Sequence, residues 1–258
     1  MMTAPQTEKT LNPYDLFHSA ILSVGMLADK NIKRTNFTEN KIDGLNIEIN
    51  DKNIILLQPA RNYDGQDVRV PGSLPLPTLL DWINKREKDD DILYLIPLLE
   101  SAETRNHWTL LVITGQQVYF FDPKGRIDSA GYDFELRNLE TYLAVASYQF
   151  SAENARYMDI QPVTDHTRSG QYVCYLINDL LSQVMKRHQF DYKISPLDPL
   201  FFLELETISS RRSEDETRLP RGDSTYYRST LQLLFSLKGA LALPNREKPE
   251  NKQEFKAR

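Results

Sequence analysis

The chain has 258 residues, 40% of them hydrophobic and 10% aromatic, with a net charge of −5 at neutral pH. That is enough apolar material for one large domain or a core with an added module, and its acidic balance excludes the basic footprint of a typical nucleic-acid binder. No apolar run reaches the roughly 18 residues of a membrane span. One cysteine forbids an intramolecular disulfide and fits a reducing compartment. No Cys or Cys/His spacing suits zinc, and His18, His107, His166 and His188 show no i, i+4 pairing. Neither a metal nor a cofactor is expected.

Residues 1–12 are polar, without the apolar stretch of a secretory signal, and read as a disordered leader. Pro13 to Lys30 reads as a helix, with Leu16, Ile21, Leu22, Val24 and Leu27 on an imperfect apolar face. Leu45–Ile49 and Ile54–Gln58 read as strands around an Asp-Lys-Asn turn. Ala60 to Pro77 carries Asn, Asp, Gly and Pro and reads as a loop; its Asn62-Tyr63-Asp64-Gly65 reads as a connection, with a substrate loop as the second reading. A short helix starts at Leu79, and Ile92–Leu98 is a strand.

The next stretch carries the chemistry. Asn106-His107-Trp108-Thr109-Leu110-Leu111-Val112-Ile113 and Gln117-Val118-Tyr119-Phe120-Phe121-Asp122 flank Thr114-Gly115-Gln116 and predict a hairpin. In an antiparallel pair the start of one strand lies beside the end of the next. His107 and Asp122 therefore come together, and a His oriented by a carboxylate is two-thirds of a nucleophilic triad.

Tyr132–Tyr148 reads as an amphipathic helix and Tyr157–Ile160 as a short strand. A helix then opens at Gly170, with Val173, Cys174, Leu176, Ile177, Leu180, Leu181 and Val184 as one apolar stripe. Its N-terminus offers backbone N–H groups and a positive dipole end, which favour a thiolate or an oxyanion. Pro199–Ile208 and Thr225–Leu243 read as two more helices, separated by the charged segment Ser209–Ser224. Arg221-Gly222-Asp223 reads as a solvated turn. The tail from Asn245 to Arg258 is charged and reads as disordered.

The set His-Trp-x-Leu-x-Val-Ile, an aromatic pair with Asp, a loop bearing Gln, and x-Gly-x-aromatic-Val-Cys opening a helix resembles the ubiquitin-like-protein proteases of clan CE. That clan holds the SUMO and Nedd proteases, the adenovirus protease, bacterial effector deubiquitinases and the YopJ-type acetyltransferases. The likeness runs from about Ile92 to about Met185. In the family the catalytic order is His, Asp, Gln, Cys. The Cys is followed by Gly, by an aromatic two residues on, and often by a second Cys five residues on. Gly170, Tyr172 and Cys174 take those last places, so Ser169 stands where the family has its nucleophile. Cys174 then lies on the helix's apolar face, where a free Cys usually behaves as a small hydrophobe. Three accounts stay open: Ser169 is a replacement of Cys that traps or silences an enzyme, Ser169 is natural in a pseudoenzyme, or Cys174 is the nucleophile. Gln161, eight residues before Ser169, takes the oxyanion place that in the family lies about six before the Cys. Trp108 is either half-buried core on a strand face or the family's cover over a channel for a Gly-Gly tail. Gly170 joins it as a substrate contact.

The fold implied is α+β: a central mixed sheet with the nucleophile-bearing helix packed on it, a papain-like clan CE core over residues 13–195, a helical extension over 196–243 and a disordered tail over 244–258. The resemblance implies a thiol protease or isopeptidase that cleaves after the C-terminal Gly of ubiquitin or a ubiquitin-like modifier, inactive as written. It implies an effector secreted by a non-classical route into a host cytoplasm, or otherwise a cytoplasmic enzyme, with ubiquitin or a ubiquitin-like protein as partner. The alternatives are a YopJ-type acetyltransferase, against which Asp122 and the acidic balance count, and a non-catalytic module that binds a ubiquitin-like protein.

Overall fold

The structure, a computed structural model, describes residues 11–27, 32–62, 70–86, 92–102, 105–124, 130–162, 164–165, 167–187 and 193–215. Helix α1 spans Pro13–Met26 and is followed by the meander β1 (Lys33–Glu39), β2 (Ile42–Ile49) and β3 (Lys52–Leu57). Two short strands, β4 (Ala60–Arg61) and β5 (Leu74–Pro75), lead into α2 (Leu76–Lys85). Then come β6 (Ile92–Ala102), β7 (Arg105–Thr114), β8 (Gln117–Lys124), α3 (Ala130–Val145), β9 (Ala155–Gln161), α4 (Ser169–Arg187) and α5 (Pro199–Asp215).

The strands form one nine-stranded mixed sheet whose main path is β1-β2-β3-β6-β7-β8-β9. β3 pairs parallel with β6 and β8 parallel with β9, while the β6–β7 and β7–β8 pairs are antiparallel. These two parallel pairs are joined by crossovers that contain a helix, α2 for the first and α3 for the second, the usual form of a parallel connection. Both faces of the central strands are buried, which is why β7 carries a continuous apolar run. Trp108, Leu110 and Val112 enter one core with residues of α1 and α4. Leu111 and Ile113, one step out of phase, enter the other core with residues of α2 and α3.

The fold class read from the sequence holds: an α+β chain with a mixed sheet and the helix beginning at Ser169 packed on it. Several boundaries move. The first helix stops at Met26, not Lys30. Strand β1, polar over Lys-Arg-Thr-Asn-Phe-Thr-Glu, gives no apolar alternation and was not expected; backbone pairing with β2 forms it. The loop expected over Ala60–Pro77 contains β4, β5 and the first residues of α2. β6 runs four residues past Leu98. The helix expected at 199–208 continues to Asp215. Leu11 and Asn12, read as the end of a disordered leader, are built into the fold. The Asn12 side chain caps α1 by accepting from the Asp15 backbone N–H at 3.0 Å, with Pro13 at the first helical position. Residues 1–10, Tyr63-Asp64-Gly65, the helix expected at 225–243, Arg221-Gly222-Asp223 and the charged tail lie outside the described residues.

Candidate active site

The hairpin places the first two residues. β7 and β8 pair from Thr114↔Gln117 to Leu110↔Phe121, and there their backbone ladder stops. Beyond it β8 pairs with β9, Asp122 opposite Tyr157, while β7 continues beside β6, His107 opposite Glu100. Across the end of the shared ladder, His107 Nε2 lies 2.8 Å from Asp122 Oδ1. The Asp122 side chain is buried and the His107 ring is 17% exposed, so one edge of the pair faces inward and the other reaches solvent. Asp122 Oδ1 also accepts the Lys124 backbone N–H at 2.8 Å, which fixes the carboxylate independently of the ring. An ionised carboxylate only accepts, so Nε2 carries the hydrogen. In the neutral ring the lone pair is then on Nδ1.

Ser169 is the first residue of α4 and is fully buried. Its Oγ accepts the Trp108 backbone N–H at 3.1 Å. Position 169 therefore sits against the residue that follows His107, at the positive end of a 19-residue helix. The turn before the helix is organised by Asp165. Its Oδ1 accepts from the backbone N–H groups of Thr167 and Arg168, and its Oδ2 from Arg168 Nε at 2.7 Å. Burial works against the charge of Asp165, but these donors together outweigh it and hold the carboxyl below its usual range. A carboxyl lowered in the folded state stabilises above its unfolded pKa, and this contribution is lost as pH falls through the folded value. Asp165→Ala is expected to cost about 1 kcal/mol, read as a lower denaturation midpoint at pH 7, with the difference from the parent shrinking below about pH 4.

Gln161 closes β9 and is buried. A bulge sets its place: Asp122 pairs with Tyr157 but Lys124 pairs with Gln161, so β9 spends two more residues than β8 over this interval. Within that interval Asp159 takes a left-handed backbone, φ 52°, which Asp tolerates better than most side chains. The sequence shows no sign of this bulge beyond that Asp. Gln161 Nε2 donates to the Asp165 carbonyl at 2.7 Å, and its buried Oε1 has no hydrogen-bond partner among the described residues. The amide thus ties β9 to the turn before α4.

Trp108 is fully buried among residues of α1 and α4, deeper than the half-buried position expected of it. Its indole N–H donates to the Leu11 carbonyl at 2.9 Å. A methyl group on Gly170 would stand 3.2 Å from Leu11 Cδ1, Leu16 Cδ1 and Trp108 Cδ1, so glycine is what lets these three side chains close over the start of α4. Cys174, one turn further on, is fully buried, and burial pushes its thiol far up from the ordinary value. Its thiol therefore stays protonated, which is not the state of a nucleophile.

Two residues next to these groups are not singled out by the sequence. Glu100, directly opposite His107 in the β6–β7 register, is a buried carboxylate, missed because β6 was ended at Leu98. Leu11 was placed in the leader. Among the described residues no group of three or more His, Cys, Asp or Glu could hold a metal ion, and no helix is long and apolar enough to cross a membrane.

No family model and no curated protein sequence matches the chain. Solved structures do. A crystal structure of the Legionella pneumophila effector protein RavZ superposes with a TM-score of 0.53 at 14% identity, over 93% of this chain and 78% of that one. A second crystal form of RavZ gives 0.50 at 13% identity, over 93% and 75%. RavZ in complex with human LC3B gives 0.47 at 11% identity, over 98% and 75%. At such identities the likeness is one of fold, and the chain is similar in fold to a bacterial effector protein.

Proposed function

We propose that this fold carries the active site of a thiol isopeptidase of clan CE type, acting after the C-terminal Gly of ubiquitin or a ubiquitin-like protein inside a host cell. The observation that carries the proposal is the hydrogen bond from the Trp108 N–H to the side-chain atom of position 169, beside a His–Asp pair and at a helix N-terminus. A donor and a positive dipole end aimed at one atom stabilise a negative charge there. A hydroxyl makes little use of that arrangement at neutral pH, whereas a thiol gains a thiolate.

With cysteine at position 169, the proposed reaction uses these groups in turn. His107 Nδ1 takes the thiol proton, and the thiolate attacks the carbonyl of the Gly-X bond. The oxyanion is held by N–H groups of the first turn of α4 and by the second N–H of the Gln161 amide, the first being engaged by Asp165. His107 returns the proton to the leaving amine, and water hydrolyses the thioester. Asp122 holds the ring in the tautomer that leaves Nδ1 as base. As given, with Ser169, the chain binds substrate and turns it over poorly.

The test is titration calorimetry of the chain against ubiquitin, SUMO, Nedd and LC3B, each with and without its C-terminal glycines. Binding that weakens when the glycines are removed is expected for one of them. No binding to any, together with a Ser169→Cys variant inert toward activity probes built on the same four proteins, would sink the proposal. Acetyl-CoA turnover by that variant would replace it with the acyltransferase reading, and tail-independent binding without turnover would replace it with the binding module.

A further inference from the structure

We infer that Leu11 is a built-in cover over the candidate site, closing the ground that a substrate tail must enter; this rests on the proposed function for what enters, but not for the closure itself. Ser169 is fully buried, so no substrate carbonyl reaches its Oγ in the state described. Two of the three parts that meet there are fixed. β7 is held at Trp108 by its ladder with β6, and α4 by its apolar stripe in the core. The third is Leu11, which belongs to no helix or strand. Its carbonyl takes the Trp108 indole N–H, and its side chain lies against Gly170 together with Leu16 and Trp108.

How Leu11 is held is legible in the local chemistry. Asn12 is the N-cap of α1, with Asp15 and Leu16 three and four residues on. Leu11 and Leu16 are thus the positions before the cap and in the second turn that pack together to set the angle at which a chain meets a helix. The chain approaches α1 at an angle that lays Leu11 over the first turn of α4. An indole N–H and a small aliphatic recess beside Gly170 are what a peptide carbonyl and its side chain would use, and Leu11 uses both. The cover therefore competes in cis for the groups that would receive a tail, and opening requires only that Leu11 turn away about the Asn12 cap.

The test uses the full chain with Ser169→Cys, alone and combined with Leu11→Gly or Leu11→Met. Iodoacetamide labelling is followed at each cysteine by peptide mass spectrometry. Leu11→Gly should accelerate labelling at position 169 by tenfold or more, equivalent to about 1.4 kcal/mol of closed-state stabilisation, while Cys174 stays protected. Leu11→Met, which refills the recess, should return the rate to within about threefold of the parent. Unchanged labelling in Leu11→Gly would overturn the inference. So would an equal rise at Cys174, which would make Leu11 a core brace whose loss loosens the whole α1–α4 layer. The pH profile separates this from the function itself: a thiol at 169 that is uncovered by Leu11→Gly yet titrates near the ordinary value of about 8.5 would leave the cover standing and remove the His107-activated thiolate.

Discussion

In the Ser169→Cys protein, iodoacetamide modifies position 169 at least about tenfold faster than Cys174 even with Leu11 in place, and its rate levels off below about pH 8.5, the ordinary thiol pKa. The two thiols would stand five residues apart on one helix, both at buried positions, and differ in the charge-stabilising groups around them. At 169 the Trp108 N–H, the helix N-terminus and the neighbouring His107–Asp122 pair all favour the thiolate. At 174 the side chain is fully buried and pushed up by desolvation. Thiol alkylation proceeds through the anion, so both effects act in the same direction. A faster reaction at Cys174 would move the nucleophile one turn along the helix and undo the alignment on which the proposed function stands.

The His107–Asp122 contact and the start of α4 are legible in the sequence, for a physical reason. His107 and Asp122 are joined by a hairpin, the shortest-range way to bring distant positions together, and its turn and apolar runs are local signals. The stripe on α4 is equally local and fixes Cys174 inward and position 169 at the start of the helix. What stayed hidden is non-local. Strand β1 has no apolar period of its own and exists because β2 offers an edge. Gln161 reaches its place through a bulge that depends on a mismatch between β8 and β9. Leu11 looked like leader because its neighbours in sequence are polar, whereas its contacts, Trp108 and Gly170, lie far along the chain. Trp108 shows the limit in a single side chain. Alternation along β7 puts it on the face opposite Leu111, and only the tertiary structure shows that this face belongs to α1 and α4.

The role of Asp122 separates geometry from charge. In the Ser169→Cys background, Asp122→Ala should lower the rate with a tail-derived activity probe by a factor on the order of 10² to 10³, within the range a general base supplies. Asp122→Asn should lower it much less, by about tenfold, equivalent to about 1.4 kcal/mol. The difference follows from a second bond. Asp122 Oδ1, the atom 2.8 Å from His107 Nε2, also accepts the Lys124 backbone N–H. A backbone donor cannot become an acceptor, so the asparagine is forced to present its carbonyl oxygen at that spot, not its NH2. His107 then keeps its hydrogen on Nε2 and its lone pair on Nδ1, and what is lost is the charge that stabilises the imidazolium. Without the Lys124 bond the amide could turn its NH2 toward the ring, impose the opposite tautomer and disable the base. Alanine removes anchor and charge together and leaves the ring free to turn. Equal losses for Asn and Ala would mean that the charge of Asp122, not its hold on the ring, is what the site requires.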